Sequence, residues 1–344
     1  MRIIVDAMGG DNAPDTLVEG ACMASAEYKV DITLVGNESS IRRVMEQKGY
    51  GGSPRVNIEN ATEVIDMEDD ADIVKFKRDS SMTRGLMLLH DDEGDAFISA
   101  GNSAALLTGA TLYVKRIRGV RRSALVPIIP SKSGGTLLID SGANIECTAE
   151  FLLQFAYMGT FYAEKVIGIE NPRVALLNIG SEASKGGPLR REAYELMQRA
   201  STEGRINFVG NIEGRDVPFG MADVVVTDGF SGNVLLKTVE GVGLFYAETL
   251  KKIFNKGPLS GLAGMMVRRG LRDFKKMIDY SETGGAPLLG MSKPVIKAHG
   301  SSDAIAIKNA VHQAMKYVDG NIIQGIRDNM EHMRVGGFDI PEEQ

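Results

Sequence analysis

Six short runs rich in Gly, Asn, Asp and Ser recur along this 344-residue chain and hold residue types that could do chemistry. They are Asp6-Ala7-Met8-Gly9-Gly10-Asp11, Ser99-Ala100-Gly101-Asn102-Ser103, Asp140-Ser141-Gly142-Ala143-Asn144, Asn178-Ile179-Gly180-Ser181-Glu182, Asp228-Gly229-Phe230-Ser231-Gly232-Asn233 and Ala298-His299-Gly300-Ser301-Ser302-Asp303. Glycine admits a close backbone approach that a Cβ would block. A helix opening from such a corner presents unpaired N–H groups, which attract anions. The stretch 222–237, A-D-V-V-V-T-D-G-F-S-G-N-V-L-L-K, shows the device most fully: an apolar run, a glycine corner and a helix start. Corners of this kind handle a phosphate or a carbonyl oxygen. Taken singly each is an ordinary turn, because Gly, Asn and Asp are what turns use. Six at the ends of strands make a ligand-lined cleft the better reading.

The elements that must position these corners alternate. Short β-branched or apolar runs at 3–6, 32–35, 56–58, 96–99, 124–129, 136–139, 174–178, 206–209, 224–227 and 295–298 read as strands. Helical patterns at 14–27, 103–114, 148–164 and 189–201 lie between them. That order predicts a three-layer α/β/α fold with a largely parallel sheet. The ligand cleft then lies outside the carboxyl ends of the strands. Residues 124–139, two strands in quick succession, read as a hairpin. A final helix from Ser302 to about Gly325 buries Ala304, Ile307, Val311, Ala314, Val318 and Ile322. The whole of 1–334 reads as one large α/β domain with a helical hairpin protruding at about 250–280, and 335–344 as a tail.

The aspartates that end strands, Asp6, Asp11, Asp140 and Asp228, read first as helix caps or braces for glycine loops. His299 reads either as a general acid for a leaving group or as a partner for a neighbouring loop. His90, His312 and His332 have no partners at metal spacing, and no metal or cofactor motif is present. Cys22 and Cys147 are the only cysteines and form no C-x-x-C pair, which fits reduced thiols in a cytoplasmic protein. A net charge of −6 argues against a general nucleic-acid binder. No run of 18 apolar residues is present to span a bilayer.

The hairpin differs from the rest in charge. Phe230 to Phe254 is one long helical pattern, broken by Asn255-Lys256-Gly257-Pro258. Leu259, Leu262, Ala263, Met266, Val267, Leu271 and Phe274 then recur at helical spacing, with Met265 beside them. Lys251, Lys252, Lys256, Arg268, Arg269, Arg272, Lys275 and Lys276 face only Asp273 in sign. A basic amphipathic helix suits a membrane surface. Docking of an acidic carrier protein and an ordinary dimer or core face stay open beside it.

The corners also carry a resemblance. D-A-M-G-G-D, S-A-G-N, N-I-G-S-E with Lys185-Gly186, T-D-G-F-S-G-N-V-L-L-K, G-G-A-P-L-L-G at 284–290 and A-H-G-S-S together resemble the PlsX family of phosphate acyltransferases, from Met1 to about Gly325. The resemblance implies transfer of a fatty acyl group from acyl carrier protein to inorganic phosphate, for phospholipid synthesis. It implies a fold similar to phosphotransacetylases and isocitrate-type dehydrogenases, a homodimer, and no cofactor or metal. It places Lys185 and Asn233 in the active site; His299 is a candidate on its position alone. Asp6, Gly9, Gly10, Gly101, Asn102, Ser103, Asn144, Gly180, Asp228, Gly229, Gly232 and Ser301 would line the substrate and phosphate site. Leu259, Leu262, Met265, Met266, Val267, Arg268, Arg269, Leu271 and Arg272 would meet a membrane or the carrier. A downstream acyltransferase that uses the acyl phosphate is a further implied partner. The chain departs from the family pattern at Ser103-Ala104, usually Thr-Gly, and at Ser231, commonly Val or Thr.

Two rival readings come from other classes. Ser103, Asp228 and His299 occur in the chain order of an α/β-hydrolase triad, although the second glycine of a nucleophile elbow is absent. A peripheral membrane protein without activity, using the basic hairpin alone, would leave the six corners unexplained.

Overall fold

The first strand, β1 (Arg2–Asp6), is an apolar run because both its faces are covered: Ile3, Ile4 and Val5 are fully buried. The computed structural model describes residues 1–270 and 284–334, without the side chains of Pro258, Leu259, Gly261 and Leu262. Seven strands form one sheet in the order β3-β2-β1-β4-β12-β11-β5. Its parallel part comprises β1, β2 (Asp31–Gly36), β3 (Val56–Asn60), β4 (Ala96–Ser99) and β12 (Val295–Lys297). β11 (Ala286–Leu289) and β5 (Ala124–Leu125) extend it by antiparallel pairing. Alternate side chains face opposite ways. Ile3, Val5 and Ile98 therefore pack under α1 (Asp15–Tyr28), α2 (Glu38–Gln47) and α9 (Ala304–Asp319). Ile4, Phe97 and Val295 pack on the other side, under α3 (Ser81–His90) and α4 (Ser103–Gly109).

A second sheet runs β6-β7-β10-β8-β9. β7 (Thr136–Ile139), β10 (Val224–Val226), β8 (Arg173–Asn178) and β9 (Asn207–Glu213) are parallel, and β6 (Ile128–Ile129) closes the edge as an antiparallel hairpin with β7. α5 (Ala149–Tyr162) and α6 (Pro188–Thr202) cover one face through Leu152, Phe155, Ala193 and Met197. The other face is met by Leu235, Leu236 and Val239 of α7 (Gly229–Phe254), a 26-residue helix that runs on past the sheet. Helices thus flank both sheets, the three-layer arrangement expected.

Three local expectations need correction. Residues 124–129 are not one strand: β5 and β6 are two residues each and pair with different sheets. Pro127 lies between them and has no N–H to continue a ladder. The last helix is also two: α9 ends at Asp319, Asn321 takes a left-handed φ of 53°, and α10 (Ile322–Asp328) restarts the chain. Within α9 the buried face uses Ala306, Ala310 and Tyr317 with Ile307, Val311 and Ala314, while Ala304 and Val318 are half-buried. Finally, the six corners do not share one edge. Three end β1, β4 and β12 of the first sheet, and three end β7, β10 and β8 of the second. Cys22 is buried, Cys147 is half-buried, and both are free.

Candidate active site

In the first sheet Asp6 is 1% exposed and binds the chain around it. Its carboxylate accepts from Ser99 Oγ at 2.7 Å and from the Met8 N–H at 3.1 Å. Burial pushes its pKa up, against the hydrogen bonds from Ser81, Ser99 and the Met8 and Gly9 N–H groups. A Cβ on Gly9 would lie 2.6 Å from Asp6 Oδ2 and 2.7 Å from the Gly101 nitrogen, so these corners can touch only as glycines. The third corner joins them through the Asp11 N–H, which donates to the Gly300 carbonyl at 2.8 Å, just past Gly10. Asn102 caps α4, accepting from the N–H groups of Ala104 at 2.9 Å and Ala105 at 3.0 Å. Its amide donates to the Asp69 carbonyl at 2.8 Å and so pins the loop at 66–69.

The second group is tied in the same way. Asp140 is fully buried and accepts from the N–H groups of Leu125, Ser141 and Ala143 at 2.9, 2.7 and 3.1 Å. Its other oxygen takes the Asn144 N–H at 2.6 Å and side-chain amide at 3.0 Å. Burial raises the Asp140 pKa and these donors oppose the rise. The Gly229 N–H donates to the Asn144 carbonyl at 2.7 Å, and a Cβ on Gly232 would overlap the Asp140 carbonyl oxygen. Asp228 caps α7, accepting from the Ser231 N–H at 2.8 Å and hydroxyl at 3.0 Å, and it pairs with Arg190. Burial pushes its carboxyl up, but the Ser231 donors and the Arg190 guanidinium outweigh it and hold the pKa below the ordinary value. Arg190 also donates to the Leu177 carbonyl at 3.1 Å, locking the end of β8 to the start of α7.

Between the two groups opens a cavity of about 910 Å³. Ser103, Ser131, Lys132, Ser141, Asn233, Lys237, Glu240, Lys297 and His299 stand on its wall. Most of the lining is apolar, with Leu106, Leu107, Ile128, Leu236, Val242 and Leu288 prominent. Among the described residues no protein group takes the Asn233 amide, and that side chain faces Gly142 across 3.8–3.9 Å from where a Cβ would stand. The His299 Nδ1 lies 2.8 Å from Ser301 Oγ and accepts from the Ser301 N–H at 3.2 Å. The ring proton of neutral His299 is thereby assigned to Nε2. Burial lowers the His299 pKa, and the positive charges of Lys237 and Lys297 lower it further. Its ring is neutral near pH 7.

Of the expected site residues, Asn233, His299 and Ser103 therefore share one cavity, with Ser301 behind His299. Asp6, Gly9, Gly10, Gly101, Asn102, Asn144, Asp228, Gly229 and Gly232 form the framework behind its wall. Gly180 and Lys185 stand apart, on the loop after β8. Lys185 is exposed, its Nζ is 3.7 Å from Glu182 Oε1, and its carbonyl accepts from Asn178 Nδ2 at 3.1 Å. The triad of the hydrolase reading does not form, since Asp228 is held by Ser231 and Arg190 while Nδ1 of His299 is turned to Ser301.

Sequence reasoning passed over Lys297, Lys237 and Glu240. Lys297 interrupts an otherwise apolar strand, V-I-K-A, with the same parity as buried Val295; that mismatch is the signal. Lys237 follows Asn233 by one helical turn and so shares its face.

On the hairpin, α8 (Pro258–Met266) turns back so that Gly264 faces Phe254. Met265, Met266 and Val267 are 65%, 82% and 46% exposed, and Arg268 and Arg269 are exposed beside them. The side chains of Leu259 and Leu262, and all of Leu271, Arg272 and Phe274, lie outside the described residues. Among the described residues no helix is long and apolar enough to cross a membrane.

Comparison with known proteins identifies the family. Residues 1–325 match the family described as "Fatty acid synthesis protein". The chain is 46% identical over 334 residues to a phosphate acyltransferase of Alkaliphilus oremlandii, covering 97% of this chain and 98% of that one. It is 43% identical over 328 residues to a phosphate acyltransferase of Clostridioides difficile, covering 95% of each. Among solved structures, a phosphotransacetylase from Streptococcus pyogenes superposes with a TM-score of 0.65 at 19% identity, covering 93% of this chain and 94% of that one. A phosphotransacetylase from Staphylococcus aureus gives 0.61 at 15% identity, covering 92% and 94%. These two likenesses show the α/β fold. The identity to the curated relatives, spread over nearly the whole chain, shows more: the chain belongs to the fatty acid synthesis protein family of PlsX-type phosphate acyltransferases, and is an acyltransferase.

Proposed function

We propose that the chain transfers a fatty acyl group from acyl carrier protein to inorganic phosphate, giving an acyl phosphate for phospholipid synthesis. The observation that carries this reading is the cavity itself: about 910 Å³, mostly apolar, with Asn233, His299 and lysines on its wall. Such a lining suits an acyl chain, with its thioester near Asn233 and an anion near a lysine. Phosphate is a poor nucleophile toward a thioester, so holding it in line matters; positioning accounts for about 7–11 kcal/mol of barrier in well-oriented reactions. The tetrahedral oxyanion needs donors, each worth about 3–4 kcal/mol. Asn233 is assigned to it, as a neutral amide that has no competing protein partner among the described residues. Direct attack leaves no covalent enzyme intermediate. Incubation with long-chain acyl carrier protein, phosphate and hydroxylamine tests the reading. Phosphate-dependent hydroxamate is the expected product, and its absence would remove the assignment.

Lys185 is assigned to phosphate at the approach to the cleft. Because it is exposed with only a loose pairing to Glu182, Lys185→Ala should shift unfolding free energy by no more than about 0.5 kcal/mol. Its turnover should fall about 10²-fold or more. Full activity in that variant would contradict the role.

The hairpin is assigned to the inner surface of a cytoplasmic membrane, where a lipid-like product would be delivered to an acyltransferase that consumes acyl phosphate. Support comes from Met265, Met266 and Val267, exposed beside two arginines. The exposed face of α7, with Leu244, Phe245 and Tyr246 at 64%, 65% and 55%, suits a second copy in a homodimer. Co-sedimentation with phosphatidylcholine vesicles should require added anionic lipid; no binding to either kind of vesicle would eliminate the membrane assignment.

A further inference from the structure

We propose that Lys297, on the inner wall of the cavity, is the group that seats the attacking phosphate. This rests on the phosphate acyl transfer reading above and names its anion subsite.

Lys297 sits at the last position of β12, opposite Ser99 of β4, and is 9% exposed. Its parity turns it toward the α3 and α4 side of the sheet, where the cavity lies. An ammonium has three N–H donors. Two go to backbone carbonyls, Ala298 at 2.5 Å and Ala100 at 3.3 Å. Among the described residues the third has no partner, and no carboxylate lies within ion-pair distance of Nζ. A buried cation without a counter-ion is costly, so the site favours an arriving anion.

The charged surroundings decide which anion fits. Asp6 and Asp11 of the β1 corner act on Lys297 through space, as does Lys237. Glu240, on the same wall, is held by Lys237 at 2.8 Å and so does not pair with Lys297. His299, next but one along the chain, lines the same cavity. A small dianion with several acceptor oxygens matches an ammonium held in place by two backbone carbonyls with one N–H left for the anion. Burial, with the Lys237 charge, lowers the Lys297 pKa to about 8, so the ammonium persists at pH 7 and is lost above about 8.

The step balances. An oxygen of monohydrogen phosphate attacks the thioester carbonyl carbon and forms the new C–O bond. The tetrahedral oxyanion collapses, the C–S bond breaks, and the phosphate's own proton ends on the departing sulfur. Two negative charges enter with the phosphate and two leave on the acyl phosphate.

The test uses Lys297→Met in the full chain and measures two quantities. One is binding of inorganic phosphate alone, by equilibrium dialysis with radiolabelled phosphate. The other is the pair of KM values in the transfer reaction. Phosphate affinity should fall at least 10-fold and KM for phosphate should rise to match, while KM for the acyl carrier protein stays within 2-fold. Unchanged phosphate affinity and KM in a folded variant would overturn the proposal while leaving the acyl transfer reading intact. Conversely, native protein that binds phosphate through Lys297 but forms no acyl phosphate would overturn only that reading. Should Lys297→Met fail to fold, the native protein decides: its phosphate affinity must fall about 10-fold per pH unit above about pH 8. Affinity that is flat from pH 8 to 10 contradicts the assignment.

Discussion

Asn233→Ala is expected to lower kcat by about 10²–10³-fold while leaving the unfolding midpoint near that of the native chain. The reasoning joins position to the lack of competing bonds. The side chain lies near the start of α7 on the cavity wall, and among the described residues no protein group takes its amide. A donor kept unpaired beside buried, hydrogen-bonded corners is pre-organised for a charge that develops during reaction. Its removal then costs transition-state binding more than ground-state binding, so kcat should fall and KM should change little. Since Asn233 is exposed to the cavity, truncation leaves no void to destabilise the fold. Kinetics on the purified variant check this. A fall confined to KM would mean that Asn233 binds substrate without stabilising the oxyanion.

Arg190→Met is expected to destabilise the protein by about 3–5 kcal/mol, the cost of stranding one member of a buried ion pair. Arg190 and Asp228 are 15% and 12% exposed, and the pair joins α6 to the cap of α7. Without the guanidinium, Asp228 keeps only the Ser231 donors in a desolvated corner. The same pair sets a pH signature. The Asp228 pKa is held below its unfolded value of about 3.9, so its stabilisation is present above that value and is lost as pH falls through the folded one. The native and variant unfolding curves, well separated near pH 7, should therefore approach one another at acid pH. A constant gap from pH 7 to pH 3 would show that the pair is not the source. Misplacement of the α7 start should also reduce turnover, because Asn233 rides on it.

How much of this was legible in the sequence depended on whether local pattern and tertiary role agreed. The strands at 96–99 and 136–139 were, because buried parallel strands read as unbroken apolar runs. So was the cap on α7, since an aspartate before Gly229 has little else to do at a helix start. The run at 124–129 misled because both halves are apolar, and only the tertiary structure shows that Val126 pairs back to Pro287 while Leu138 reaches Pro127. β11 was missed altogether: A-P-L-L carries a proline, which demotes a run from strand, yet the run pairs with β12 on one side and β5 on the other. At the site, glycine corners announced a cleft but not its division between two sheets. Lysines are read as surface by default, so Lys297 escaped notice although it lies deeper than Lys185. The resemblance supplied Asn233 and Lys185, and the geometry distinguishes them: one on the cavity wall, the other on an exposed loop.

The central claim is that the acyl group passes directly to phosphate in this cleft. The most direct measurement is carrier thiol released from long-chain acyl carrier protein as phosphate is varied, with acyl phosphate and free fatty acid quantified in the same samples. Thiol release should be negligible without phosphate, should saturate with it, and should match acyl phosphate one for one. Release at the same rate without phosphate, with fatty acid as the product, would contradict the account.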